Sequence, residues 1–236
     1  MRAQHRGSAG GRLVLALGAA ALAIAGLGTI AFGLWGNPPP PQPPAALTHS
    51  RTTSPAQPTE TAAPGTPQAS AAAPGAPSGP ILSASPPTHL LIPSIGVSSD
   101  LIRLGLNTDG TVQVPPLIRN SPAGWYEGSP TPGQQGPAVI LGHVDTYSER
   151  SVFYRLGDMR PGDQISVTRA DNTVAVFTVT QVGDYPKANF PQLQVYGNTR
   201  SAQLRLITCG GDYDAQTGHF LNNIVIYATL TSSHPA

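Results

Sequence analysis

The chain has 236 residues, 13 basic and 12 acidic side chains and a formal net charge of +1, which argues against the basic stripe of a nucleic-acid binder and against an acidic solvating tail. Charged residues are 11% of the total, while 26 Gly and 26 Pro make up more than a fifth of it, so a single domain of uniform globular composition is excluded. The only cysteine, Cys209, rules out an intramolecular disulfide and a zinc site of several thiolates.

Residues 1–12 hold Arg2, Arg6 and Arg12 with His5 and no acid. They are expected to form a basic cytoplasmic tail. An apolar run without charge or proline follows over 13–35. A bilayer core needs about 20 helical residues, so 13–36 is expected to be a transmembrane signal-anchor helix. The run exceeds the roughly 7–15 apolar residues of a cleaved signal peptide. No acid precedes Glu60, and the positive-inside rule then keeps the N-terminus cytoplasmic and sends the rest of a single-pass chain outside.

Residues 37–87 are rich in Pro, Ala, Ser and Thr, beginning with PPPPQPP at 38–44. Such a segment has too little apolar surface to offset its ordering entropy, so a disordered linker is expected. From 88 to 232 short β-rich runs alternate with turn signals: 89–97, 111–115, 138–144, 164–169, 174–185, 204–209 and 223–230. That texture predicts an all-β sandwich or closed barrel. SVFYRLGDM at 151–159 is expected to form a single helix or helical turn, and 160–163 and 170–173 read as turns.

Chemistry concentrates at two strand ends. Cys209 closes the apolar run LRLITC and is followed by Gly210 and Gly211, where a strand opens into a loop and a thiol becomes accessible. An unpaired cysteine in an exported chain is either a reactive thiol or an inert one. A reactive one needs a base or a positive charge beside it. His143, in ILGHVDT, is the natural base, with His219 as its rival in the loop after the cysteine. Asp145 could orient the imidazole or cap a turn. Asp212 and Asp214 are too few for a metal site and read as a turn. No phosphate loop or dinucleotide fingerprint is present.

The stretch Arg205-Leu206-Ile207-Thr208-Cys209, with Gly142-His143-Val144-Asp145 well before it, resembles the sortases, cysteine transpeptidases of Gram-positive surfaces. Arginine stands where their cysteine motif has its first threonine. The ordered pieces VPP (114–116), AGWY (123–126), GPAVILGHVDT (136–146), VFYRLGDMRPGD (152–163), YPKANFP (185–191), VYG (195–197), LRLITCGGDYD (204–214) and NNIVIYA (222–228) are most similar to the class F sortases of actinobacteria.

The resemblance implies an eight-stranded sortase-type β-barrel with short helical turns as a catalytic domain at 88–232. It implies Cys209 as nucleophile carrying an acyl-thioester and His143 as general acid/base. Its substrate would be the C-terminal sorting signal of exported proteins, of Leu-Pro-x-Thr-Gly type, cleaved between Thr and Gly. The acyl group would pass to an amine of a cell-wall precursor. No cofactor or metal is implied.

The family also places an arginine on the strand after the cysteine loop, but no arginine follows Arg205 here. Asn223 occupies that place by alignment of the last strand. Arg205 shares the thiol's face of a regular strand and is a possible substitute, as is Arg155. YPK at 185–187 with Phe190 and Pro191 is expected beside the groove. Two alternatives stand: a non-catalytic extracellular β-domain, such as an adhesin or binding module on a stalk, and a cysteine transpeptidase that cross-links peptidoglycan stems. The second places Ser-x-Gly-Cys before an arginine, which this chain lacks.

Overall fold

The structure is a computed structural model, and it describes residues 39–44, 78–146 and 149–236. The basic tail, the apolar run and residues 45–77 of the linker lie outside the described residues. Among the described residues no helix is long and apolar enough to cross a membrane. The chain divides into Met1–Pro39 and Pro40–Ala236, and everything below concerns the second unit.

Eight strands close a barrel in the order β1-β2-β3-β4-β7-β8-β6-β5. They are β1 (Pro87–Ile92), β2 (Val97–Leu104), β3 (Ala123–Tyr126), β4 (Gly136–Leu141), β5 (Gln164–Arg169), β6 (Thr173–Pro186), β7 (Ala202–Asp214) and β8 (His219–Pro235). Closure removes the exposed edges that an open sheet would present to other chains. Two neighbouring pairs, β2 with β3 and β4 with β7, are parallel; the others are antiparallel.

Side chains alternate across each strand with period two. Leu204 and Leu206 of β7, Ala138 and Ile140 of β4, and Ile224, Ile226 and Ala228 of β8 point inward, each almost fully buried. They meet Leu90, Ile165, Val167 and Phe177 in one core. The intervening residues Val139, Ile207, Val225 and Tyr227 face outward and are covered by Val195 of the short helix α1 (Gln192–Tyr196). The outer face of β4, β7 and β8 is therefore itself half a core. His143, Cys209 and Asn223 continue that face.

The helical turn expected in 151–159 is present as one 3-10 turn, Leu156–Asp158, kept short because Val, Phe and Tyr are poor helix formers and Gly157 lies within it. Elsewhere the elements differ from the sequence expectation. The run 89–97 is broken by a 3-10 turn at Pro93–Ile95, because proline supplies no N–H to a ladder, and the chain resumes as β2. The run 111–115 makes only an isolated bridge, Leu106 with Val112. Residues 78–86, read as linker, lie against the barrel: Ser85 is buried, its N–H donates to Thr131 Oγ1 (3.0 Å), and its Oγ accepts from Asp171 N–H (3.1 Å).

Candidate active site

The parallel pairing of β4 and β7 runs from Gly136 with Ala202 to Leu141 with Ile207. Two bonds extend it: Gly142 N–H donates to Ile207 O (3.2 Å), and the buried Thr208 Oγ1 donates to Gly142 O (2.8 Å). Carried on by the same offset, the register sets His143 beside Cys209. Gly142 is required at that junction, because a Cβ there would stand 2.5 Å from the fully buried ring of Phe153. Phe153 N–H in turn donates to His143 O (3.0 Å) and holds the histidine's backbone.

The imidazole has one defined partner. His143 Nε2 lies 2.7 Å from the carbonyl of Pro115. A carbonyl only accepts, so Nε2 carries the proton and Nδ1 is the nitrogen free to exchange one. Asp145 sits two residues on, its backbone in an isolated antiparallel β-bridge with that of Arg150. Burial raises its carboxyl above the usual range, and the charge of His143 pulls it partly back.

Cys209 is half-buried and packs against Val144, Tyr154 and Phe220. Across β7 and β8 it stands directly opposite Asn223, which stands opposite Tyr185 of β6 on its other side. Side chains opposite one another across a ladder share a face. Tyr185, Asn223 and Cys209 thus form one row across β6, β8 and β7, and His143, two residues past the end of β4, lies on its continuation. Lys187, two residues past Tyr185, brings its Nζ to 3.5 Å from Cys209 Sγ. It is the only lysine of the chain, and the sequence reading did not single it out as a charge partner. Its place in the YPK motif beside the groove was the available signal.

The other candidates are directed elsewhere. Arg205 shares the outer face with Cys209 but is 3% exposed. Its guanidinium donates to Val195 O (3.2 Å), Leu204 O (3.1 Å) and Gln203 Oε1, and lies 4.4 Å over the Tyr227 ring. Burial holds it down to about 10, so it remains a cation at neutral pH. Arg155 pairs with Asp158 at 2.8 Å. His219 stands opposite Asp214 in the β7–β8 hairpin rather than opposite the thiol. Asp214 accepts from Gln216 N–H (2.8 Å) and Thr217 Oγ1 (2.9 Å), the bonding of a turn. Tyr185 and Phe190 pack edge to face at 6.1 Å beside the row. Among the described residues no group of three or more His, Cys, Asp or Glu side chains is gathered to hold a metal ion.

A closed barrel whose parallel neighbours end in Gly-His-Val-Asp and Cys-Gly-Gly has the parts of a thiol–imidazole enzyme. The sortase-domain profile matches residues 90–231, more than half of the chain. The chain belongs to the sortase family of cysteine transpeptidases. Among solved structures it is similar to sortase A of Listeria monocytogenes, at 19% identity over 65% of this chain and 92% of that one, with a TM-score of 0.48. It is similar also to the sortase SrtA of Actinomyces oris, at 21% identity over 68% and 89%, with a TM-score of 0.47. Sortase C1 of Streptococcus suis gives 15% identity over 63% and 74%, with a TM-score of 0.48. No curated protein sequence matches the chain.

Proposed function

We propose that this sortase is a membrane-anchored transpeptidase of class F type, held by residues 13–36, with its catalytic domain outside the cell. It cleaves a Leu-Pro-x-Thr-Gly-like signal between Thr and Gly and transfers the new C-terminus to a cell-wall amine. The observation that supports this reading is the parallel register of β4 and β7 from Gly136 with Ala202 to Leu141 with Ile207, which, continued two residues further, would set His143 beside Cys209.

The chemistry follows from the row. The Cys209 thiolate attacks the threonine carbonyl, and the carbonyl electron pair moves to oxygen. Lys187 sets a positive charge beside the sulfur. The tetrahedral oxyanion requires preorganised donors, each worth about 3–4 kcal/mol in good geometry. The Asn223 amide opposite Cys209, the backbone N–H of Gly210 that follows it, and the Lys187 ammonium at 3.5 Å from Sγ suit that role. Asn223 supplies a donor without charge, and Lys187 supplies charge from the neighbouring loop. The oxyanion collapses, the C–N bond breaks, and the leaving glycine amine takes a proton from His143 Nδ1–H. Nδ1 then accepts a proton from the incoming amine, which attacks the thioester and frees the thiol. Pro115 O keeps Nε2 protonated throughout, so the exchanging nitrogen is the same in both halves.

A peptide-cleavage assay tests the reading. Cys209→Ala abolishes turnover, and His143→Ala lowers it by about 10²–10⁴-fold, with far-UV circular dichroism unchanged. Undiminished cleavage by either variant defeats the assignment.

A further inference from the structure

The hairpin that opens the barrel carries a second cluster of reactive side chains. His89 Nδ1 lies 3.0 Å from Asp100 Oδ1, and His89 Nε2 lies 3.0 Å from Ser98 Oγ. A carboxylate only accepts, so Nδ1 carries the imidazole proton and donates to Asp100. Nε2 is then the acceptor, and the Ser98 hydroxyl donates to it. Serine, imidazole and carboxylate are thus linked in the order of a nucleophile, its base and the group that orients the base.

The strand register produces this order. His89 of β1 stands directly opposite Asp100 of β2, and Leu91 stands opposite Ser98. Residues two apart on a strand share a face, so the His89 ring meets Asp100 across the ladder and Ser98 on the diagonal. Leu90, Ile92 and Val97 fill the core behind them, which holds the outward positions on packed strands. Ser98 and Asp100 are exposed and His89 is half-buried, so a solute can reach the hydroxyl. The exposed Leu91 supplies apolar surface beside it. Around the barrel, β3 and β4 separate this hairpin from β7 on one side, and β5, β6 and β8 separate it on the other. The cluster is no part of the row that holds Cys209.

We propose that Ser98, His89 and Asp100 form a second nucleophilic site, which hydrolyses activated esters that carry an apolar acyl group. Ser98 Oγ attacks the ester carbonyl while Nε2 takes its proton, and Asp100 stabilises the imidazolium. The C–O bond breaks, and the leaving oxygen departs with the electron pair and the Nε2 proton. Water then gives a proton to Nε2 and attacks the acyl-serine; the carboxylic acid leaves, and Ser98 Oγ recovers the proton. The acyl chain lies along Leu91. Open to water, the site suits esters whose leaving group already tolerates negative charge, rather than amides. It does not depend on the transpeptidase reading.

The experiment uses the full chain in detergent with Cys209→Ala, so that no thiol contributes. Release of p-nitrophenolate from p-nitrophenyl butyrate is expected to fall about tenfold or more on adding Ser98→Ala or His89→Ala, and about threefold or more with Asp100→Asn. A fluorophosphonate is expected to bond to Ser98 Oγ with loss of fluoride, giving an adduct that peptide mass spectrometry maps to Ser98 and that His89→Ala abolishes. Ester turnover left unchanged by Ser98→Ala, or a phosphonyl adduct absent from Ser98, overturns the proposal. The cluster is then a cross-strand ion pair with a hydroxyl beside it.

Discussion

Lys187 bears on how the proposed site would manage without the arginine that the sortase resemblance implies. Its ammonium is 3.5 Å from Sγ, whereas a neutral Asn223 stands opposite Cys209 across β7 and β8. Charge at a thiol is measurable without turnover, by comparing an anionic with a cationic methanethiosulfonate reagent. Lys187→Met is expected to lower the anionic-to-cationic rate ratio at Cys209 about threefold or more, and Lys187→Arg to restore it, as removal and return of a nearby partly screened charge require. A ratio unmoved by Lys187→Met means that the lysine only packs there. Cys209 and His143 stand out in the sequence as candidates because each ends an apolar run at a polar or glycine break. Lys187 does not, since its approach depends on how the chain turns after β6. The Pro115 carbonyl is a main-chain group, and no side-chain pattern announces it.

At the scale of elements, the strands were largely readable from alternation and turn residues, but their neighbours were not. Nothing local in 136–141 or 202–207 indicates that β4 and β7 pair in parallel, although the proposed site at their ends rests on that pairing. Helix α1 has five residues, too few for a 3.6-residue period to show. Its presence changes the meaning of Arg205. The residue does share the face of Cys209, as strand periodicity predicts, but Val195 of α1 covers it and accepts one of its hydrogen bonds. Arg205→Met leaves buried acceptors unpaired and is expected to cost about 1–3 kcal/mol in denaturant unfolding. The charge ratio at Cys209 stays unchanged in this variant. A stable Arg205→Met protein with an altered ratio would place the guanidinium at the thiol instead.

At the scale of the whole molecule, residues 78–86, expected as linker from their composition, lie against the barrel. Ser, Ala and Pro between 78 and 86 look like linker because much of their anchoring is by hydrogen bonds, with Leu82 packed against the core. Leu82 N–H donates to Gly133 O (2.8 Å), Ala170 N–H donates to Pro86 O (2.9 Å), and the buried Arg169 donates to Ser83 O. A fragment starting at 88 strips these partners and leaves the Arg169 charge with fewer acceptors. It is expected to melt about 5–10 °C below a fragment starting at 78. Equal melting temperatures would return residues 78–86 to the linker. The same blindness applies to 40–44, where Gln42 of a low-complexity run accepts a hydrogen bond from the Gly211 N–H.

The account depends on acyl transfer to one sulfur. Intact-protein mass spectrometry after mixing the chain with a Leu-Pro-x-Thr-Gly-like peptide tests this most directly. The prediction is a single added mass equal to the peptide through its threonine, less water, mapped to Cys209 and discharged by hydroxylamine. Peptide cleavage without that adduct at Cys209, or with the adduct persisting in Cys209→Ala, would contradict it.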